Sequence, residues 1–309
     1  MSQRQLSILI PVYNWDVVQL VAALHRQCLL SDIDFEIRCY DDGSIAAFLE
    51  KNSALDKYEH VVYRILGHNI GRSRIRNLLA NEAEYSFLLF LDCDSGIAHN
   101  NFILNYLKLI KENTILYGGR IYADQQPVNK AHLLHWYYGR YRETAILTDR
   151  KKAPYHSFMT NNFLIPKAIF TQIRFDERLL QYGHEDTLFG QEMLTRSIPI
   201  VHLDNPILHL GLENVNSFLE KTRQAMENLS FLYREHPELE THLLRMVNRL
   251  KKWHLDGLTL LILRKIHPLV KKNLLSSHPN LRALDLFKLY HFLEMENKNR
   301  RDDMTNQRT

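Results

Sequence analysis

Apolar and polar positions alternate in blocks along the first two thirds of the chain. Residues 6–10, LSILI, are short, continuous and apolar, the pattern of a buried strand, and Pro11-Val12-Tyr13-Asn14 breaks the run. Val17, Leu20, Val21, Leu24 and Cys28 then recur at helical spacing and predict an amphipathic helix over 16–29. Residues 34–40, DFEIRCY, predict a second strand that enters the turn Asp41-Asp42-Gly43-Ser44. A third strand at 61–66 leads to His68-Asn69-Ile70-Gly71 and a helix over about 72–83. A fourth, 86–91 (SFLLFL), ends at Asp92-Cys93-Asp94-Ser95.

Strands of this kind alternating with helices predict an α/β protein with a parallel-type sheet covered by helices on both faces. Ligands bind such sheets outside the carboxyl ends of the strands. The polar clusters 11–14, 41–44, 68–72 and 92–95 all fall at those ends, so four loops converge on one rim. Residues 115–165 are less regular. The aromatic and basic run HLLHWYYGRYR fills 132–142, and a loop over 149–162 ends in Thr160-Asn161-Asn162 before a short strand at 163–165. A helix over 185–195 opens with Glu185-Asp186, acids suited to a helix N-terminus, and a strand at 198–203 precedes Pro206-Ile207-Leu208-His209. Beyond about residue 214 the pattern is helical, with breaks expected at Pro237, Pro268 and Pro279 and a frayed polar tail from about 297. No internal repeat is visible. The expected division is an α/β domain over 1–215 and a helical region over 216–309.

The 309 residues, 45% hydrophobic and 24% charged, are ordinary for a globular protein. A net charge of +4 does not by itself argue for nucleic acid, but its distribution is uneven. Residues 241–309 hold 14 Lys/Arg against 6 Asp/Glu, a net of +8, and the rest of the chain is net negative. Three scattered cysteines, Cys28, Cys39 and Cys93, argue against a disulfide framework and a structural zinc site. The apolar run near the N-terminus is too short for a secretory signal, and no stretch reaches the 18 apolar residues of a membrane span. The expectation is a cytoplasmic chain, with any membrane contact peripheral to the cytoplasmic face.

The polar clusters carry the candidate chemistry. Asp92 and Asp94 flank one residue at a strand end. In extended chain i and i+2 point the same way, so both carboxylates can face one pocket and offer oxygens to Mg2+ or Mn2+. The plain alternative is a polar turn. Asp41-Asp42-Gly43-Ser44 reads first as a turn too, and second as a carboxylate that accepts from a nucleobase N–H. In Asn69-Ile70-Gly71-Arg72-Ser73-Arg74-Ile75-Arg76-Asn77, Gly71 permits close backbone approach at a helix start, and Arg72 and Arg76 share a helix face suited to phosphate. A solvated basic face is the alternative. Tyr182-Gly183-His184-Glu185-Asp186 offers either helix caps or a general base for an acceptor hydroxyl. His209 alone is more often a packed residue than a metal ligand.

Taken in order, ILIPVYN, YDDGS, NIGRSRIRN, FLDCDS and YGHEDTLFG resemble the family 2 glycosyltransferases over roughly residues 5–215. The resemblance implies the GT-A fold, a Rossmann-like mixed sheet flanked by helices, here with a C-terminal helical appendage. It implies that Pro11 and Tyr13 line the nucleotide pocket, that Asp42 contacts the base, and that Gly71, Arg72 and Arg76 flank nucleotide and phosphates. Asp92 would approach ribose and metal, and Asp94 would be the main protein ligand of a divalent metal, Mn2+ or Mg2+, with His209 as a further ligand. Asp186 would be the catalytic base and Glu185 would position the acceptor. The implied reaction moves one sugar, a hexosyl or N-acetylhexosaminyl group, from a nucleoside-diphosphate donor to a hydroxyl of a glycan or lipid-linked acceptor with inversion, in surface polysaccharide or glycoconjugate synthesis. The donor nucleotide is read as uridine diphosphate from Asp42 alone, and guanosine and thymidine diphosphates stay open. Cys93, where many members carry an acidic or small residue, would point away from the site. The absence of a QxxRW-type motif favours a non-processive enzyme.

Two rival functions are weaker. A sugar nucleotidyltransferase would need a glycine-rich loop with a lysine after the first strand, and Pro11-Val12-Tyr13-Asn14 lacks it. A non-catalytic nucleotide-sugar-binding module on a degenerate scaffold is at odds with intact Asp94 and Asp186. In the C-terminal third, leucines interleaved with Lys251, Lys252, Arg264, Lys265, Lys271 and Lys272 read either as a helical appendage packing on protein or as a basic amphipathic surface for anionic membrane. No nucleic-acid recognition motif is present.

Overall fold

The computed structural model describes residues 5–179 and 183–306. Strand β1 (Gln5–Val12) is followed by helix α1 (Val18–Leu29), β2 (Asp34–Asp41), α2 (Ala46–Asn52), β3 (Val61–Ile65), α3 (Arg72–Glu82) and β4 (Phe87–Leu91). Next come β5 (Ser95–Ile97), α4 (Phe102–Leu107), β6 (Ile115–Tyr117), β7 (Arg120–Ile121), α5 (Leu133–Tyr138), α6 (Leu147–Lys152) and β8 (Asn162–Pro166). Then follow α7 (Lys167–Ile173), α8 (Glu185–Thr195), β9 (Ile200–His202), β10 (Ile207–His209), α9 (Val215–Glu235), α10 (His242–Lys252), α11 (Asp256–Leu274) and α12 (Leu281–Asn306). The chain forms two units, one of residues 5–124, 139–179 and 185–211, the other of 125–138, 183–184 and 212–306.

The first unit holds a seven-stranded sheet in the order β3-β2-β1-β4-β8-β6-β9 and a three-stranded sheet, β5-β10-β7. The large sheet is parallel except for β8, which runs antiparallel to both β4 and β6. It is therefore the mixed sheet that the family resemblance implies, not the parallel one that strand–helix alternation alone predicts. Hydrophobic periodicity specifies that 162–166 is a strand but is blind to its direction. The chain reaches β8 from β4 through a long excursion that also supplies β5, β6 and β7, so no single crossover helix constrains it to run parallel.

The apolar run at the start of the chain is explained by two cores. Leu6, Ile8, Ile10 and Val12 face one side of the sheet and pack with Val21, Leu24 and Cys28 of α1 and Phe102 of α4. On the other side Leu9 joins Ile75 and Leu79 of α3, Phe170 of α7 and Phe189 of α8. Each such fully buried aliphatic side chain contributes about 1.5–3 kcal/mol. Pro11 does not end β1 as expected: the strand continues in register with β2 to Val12. Pairing with β4 stops at Leu9, so the proline sits where β1 has one neighbour, a position at which a missing N–H is tolerated.

Asn162 ties the two halves of the sheet to the chain that carries the site. Its buried side chain accepts from the Tyr106 hydroxyl (2.7 Å) and donates to the carbonyls of Gly119 and Asn205 (both 2.9 Å). Asn162→Ala leaves buried polar groups unpartnered, and we expect a loss of about 2–4 kcal/mol in urea-induced unfolding. A loss under about 0.5 kcal/mol would mean the local chain re-pairs without it.

The second unit is helical. Leu134 of α5, Phe218 and Leu219 of α9, Val270 and Leu274 of α11 and Leu284 and Phe287 of α12 form one apolar cluster. The chain breaks near Pro237 and Pro279 as expected, but α11 continues through Pro268. That proline lies on the exposed side of the helix, where the Arg264 carbonyl that loses its donor can be solvated. The tail expected to fray from about 297 is instead the last part of α12, which runs to Asn306. Buried Glu296 holds it, accepting from the Ser230 hydroxyl (2.8 Å) and from Lys251 Nζ (2.7 Å).

Candidate active site

Every residue described below belongs to the first unit. At the carboxyl ends of β1 and β2 the loops are laced together by short side chains. Ser44 Oγ accepts from the Asn14 amide (2.7 Å), and Asn14 Oδ1 accepts from the Ile45 amide (2.9 Å). Asp41 accepts from the Ser44 amide (2.7 Å) and the Tyr63 hydroxyl (3.1 Å). Asp42, buried, accepts from the amides of Ile70 (2.7 Å) and Gly71 (3.1 Å), and burial raises its carboxyl above the ordinary value against the pull of those two bonds. Its first task is thus to brace the turn that opens α3. Gly71 has φ of 89°, a conformation that favours glycine, and Gly43 has φ of 82°. Tyr13 is half exposed beside these loops, and Pro11 lies at the end of β1.

Asp92 departs from the sequence expectation. Residues 92–95 form a turn rather than extended chain, with the Ser95 amide donating to the Asp92 carbonyl (3.2 Å), so the alternation of extended chain is not what brings the two acids together; Arg120 is a neighbour of both. Buried Arg76 donates to Asp92 Oδ1 (2.7 Å) and Arg120 to Oδ2 (3.2 Å). Arg120 also meets Glu143 Oε2 (3.0 Å), which in turn accepts from the Tyr122 hydroxyl. Glu143 ends a π-helical turn, Gly139–Glu143, a distortion that recurs at functional sites. Gly139 leaves room for the Tyr122 ring, which a Cβ there would strike.

Asp94 has a different direct partner. β10 lies antiparallel to β5 with His209 opposite Ser95, and this register brings His209 Nδ1 to 3.4 Å from Asp94 Oδ2. The other oxygen, Oδ1, is buried without a hydrogen-bond partner among the described residues. Burial would raise the Asp94 carboxyl, but His209, Arg120 and Arg72 outweigh it and hold it ionised well below its ordinary value. A Cβ on Gly211 would collide with Asp94 Oδ2, so the bare backbone there leaves the carboxylate its place. Among the described residues no three His, Cys, Asp or Glu side chains converge as a ready metal cage. An ionised carboxylate with an orphaned oxygen next to an imidazole suits a hard divalent cation that takes its remaining ligands from phosphate and water. Asp92, engaged by two arginines, is not part of that pair. Cys93 packs against the apolar core, and burial pushes its thiol up to about 12.

Glu185 and Asp186 open α8. Burial works to raise Glu185, but Arg72, 3.4 Å away, and Arg76 outweigh it and keep the carboxyl below its ordinary value. Asp186 is the opposite case. Burial first, and then the negative charge of Glu185, push it up to about 7, although the Thr187 amide donates to it (2.7 Å). Two adjacent acids are thereby driven apart, one held charged and the other poised to take or release a proton near neutrality. Tyr182 of the same motif lies outside the described residues.

Arg120, Glu143, Tyr122 and Gly211 were not legible as site residues. The only signal for Arg120 is its place just after Gly118-Gly119 at the end of an apolar strand. Glu143 and Gly211 carry none, because their partners are set by tertiary contact.

The profile of glycosyl transferase family 2 matches residues 7–174. No curated protein matches the chain at a significant level. Among solved structures, the 1–349 piece of S. aureus TarS in complex with UDP has a TM-score of 0.50 at 17% identity, with 97% of this chain and 92% of that chain covered. Against the whole TarS chain, this chain covers 40% of its length. The mannosyltransferase PcManGT from Pyrobaculum calidifontis, in complex with GDP-Man and Mn2+, has a TM-score of 0.53 at 9% identity, covering 76% of this chain and 65% of that one. Glucosyl-3-phosphoglycerate synthase from Mycobacterium tuberculosis, in complex with Mn2+, UDP and glucosyl-3-phosphoglycerate, has a TM-score of 0.50 at 14% identity, covering 75% and 79%. At such identities these likenesses speak for the GT-A fold alone. The family profile extends over more than half of the chain and takes in the loops after β1, β2 and β3, both aspartates of the 92–94 turn and strand β8: the chain belongs to glycosyl transferase family 2.

Proposed function

We propose that this chain is an inverting, metal-dependent glycosyltransferase that moves one hexosyl or N-acetylhexosaminyl group from a uridine-diphosphate sugar to a hydroxyl of a glycan or lipid-linked acceptor. The observation that carries the reading is the pair of adjacent acids opening α8. Glu185 faces Arg72 at 3.4 Å, and Asp186 stands beside the charge of Glu185 with no arginine of its own at hydrogen-bond distance among the described residues, which raises its proton affinity toward that of a base working near neutrality. Asp186 takes the proton of the acceptor hydroxyl as that oxygen attacks the anomeric carbon. The bond to the diphosphate oxygen breaks on the opposite face, so configuration inverts in one displacement. Glu185, kept charged by Arg72 and Arg76, orients the acceptor and sharpens the proton affinity of its neighbour. Asp94 and His209 would hold a divalent metal, Mn2+ or Mg2+, which when bound supplies positive charge to the departing diphosphate.

The arginines have separate tasks. Arg76 and Arg120 neutralise Asp92 and fix its carboxylate, leaving it to meet the ribose rather than to ligate metal. Arg72 and the amides at the start of α3 would meet the donor's phosphates. Asp42 keeps the turn at 68–71 in place, and a carboxylate has lone pairs left for a base N–H after two bonds. The TarS and glucosyl-3-phosphoglycerate synthase structures hold UDP and the PcManGT structure holds GDP-Man, so uridine and guanosine are the donors to compare first.

Calorimetric binding of uridine, guanosine and thymidine diphosphates, with and without Mn2+, tests this reading. We expect uridine diphosphate to bind with Mn2+ and to lose about 10–100-fold in affinity without it. No metal-dependent binding of any of the three would overturn the donor site, and preference for guanosine would reassign Asp42.

A further inference from the structure

We infer that the outward face of α11 is a docking surface for an anionic lipid bilayer. The helix is apolar on two opposite sides. Leu260, Leu263, Val270 and Leu274 are buried within the second unit, as the period of a single core-facing stripe requires. A second stripe at the same period, Leu258, Leu261, Ile262 and Leu269, points the other way, and all four side chains are more than half exposed. Helices that are apolar all round are buried ones, and an uncovered stripe of this length on a surface marks a place where something docks.

Charge selects the occupant. Lys265 and Lys272 lie on the same outward arc, both exposed, and the arc from Leu258 to Lys272 carries no carboxylate. Asp256, at the start of the helix, and Glu294, on α12, are already engaged, by Arg300 (2.9 Å) and Arg264 (2.6 Å). Trp253, exposed in the turn before the helix, adds a ring of the kind that settles at a membrane–water boundary. A two-fold pairing with a second copy would set these lysines against their own equivalents with no acid on the stripe to meet them. An anionic bilayer offers both things the face lacks, apolar depth for the leucines and negative charge for the lysines. The net of +8 over residues 241–309 acts in the same sense at longer range. No helix among the described residues is long and apolar enough to cross a membrane, so the helix would lie in the plane of the surface.

The inference stands apart from the catalytic reading, and its test does not depend on turnover. The full chain is sedimented with vesicles of phosphatidylcholine alone or with about 30 mol% phosphatidylglycerol. We expect partition into the anionic vesicles, weakened by added salt. The double change Lys265→Glu with Lys272→Glu should lower that partition at least about tenfold, and Leu261→Ser with Leu269→Ser should do likewise. Thermal melting and the far-ultraviolet circular dichroism spectrum serve as folding controls and should not move, because these side chains are exposed. Equal partition of the lysine variant, or no partition of the wild type, would overturn the proposal. So would a concentration-dependent dimer in sedimentation equilibrium that Leu261→Ser with Leu269→Ser dissolves, since the face would then belong to a second copy.

Discussion

Asp186→Asn is expected to lower sugar transfer by about 10²–10⁴-fold while leaving Mn2+-dependent nucleotide binding almost unchanged. The amide keeps the shape of the side chain and its place at the start of α8 but cannot take the acceptor proton. Undiminished turnover would sink the assignment. The wild-type enzyme should show the same group in its pH profile. The carboxyl is pushed up to about 7, so its basic form falls away below that pH, and kcat/KM should rise with pH up to about 7 and then level off. Stability should move the other way. A carboxyl whose proton affinity is higher in the folded than in the unfolded chain costs nothing at low pH. It costs progressively more as pH rises from about 4 to about 7. Asp186→Asn removes that cost, so its Tm should exceed that of the wild type at pH 8, by about 2–4 °C for each kcal/mol released, and approach it near pH 4. A loss of activity with a loss of Tm at pH 8 would instead point to a damaged fold.

The second large effect is at Asp94. Asp94→Ala should bring uridine diphosphate affinity in the presence of Mn2+ down to its metal-free value, a loss of about 10–100-fold. Unchanged metal dependence would refute its role as a ligand. Gly211→Ala gives an independent check, because it leaves every proposed ligand in the sequence. The added Cβ would collide with the Asp94 carboxylate, so the variant should weaken Mn2+-dependent binding in the same direction while metal-free binding is retained. If Gly211→Ala is silent, the carboxylate has freedom that its surroundings do not suggest.

These residues were not equally legible. Asp94, Asp186, Gly71 and Arg72 could be singled out because each follows a recognisable strand or opens a recognisable helix, and a short continuous apolar run or a period of 3.6 is enough to find those ends. For Gly71, Arg72 and Asp94 a place on one rim then follows from topology, whereas Asp186 opens a helix and follows no strand end. Asp92 was legible as a candidate but not in its partners. Arg76 and Arg120 come from α3 and from β7, and no local pattern pairs them with it. The shared-face argument for Asp92 and Asp94 required extended chain, and the turn at 92–95 removes that premise. The same limit hid the three-stranded sheet, whose strands are two or three residues long, too short for periodicity to register. Pro268 misled in the other direction, because the rule that proline ends helices holds for a buried ladder and weakens on an exposed face.

The antiparallel strand β8 also orders the assembly of the chain. β3, β2, β1 and β4 come from residues 5–91 and are joined by short crossovers, so the half of the sheet that bears Asp42 and Arg72 is complete early in synthesis. β6 has no place beside β4. It can be seated only after β8, about fifty residues later, has been laid between them, and β9 only after that. Asp186 and His209, with Gly211 behind them, emerge last of all. A nascent chain therefore holds the loops proposed to meet the nucleotide well before it has the carboxylate and imidazole proposed for chemistry. The exposed edge of β4 during that interval is the stretch on which a chaperone, or a mispaired strand of another chain, would act.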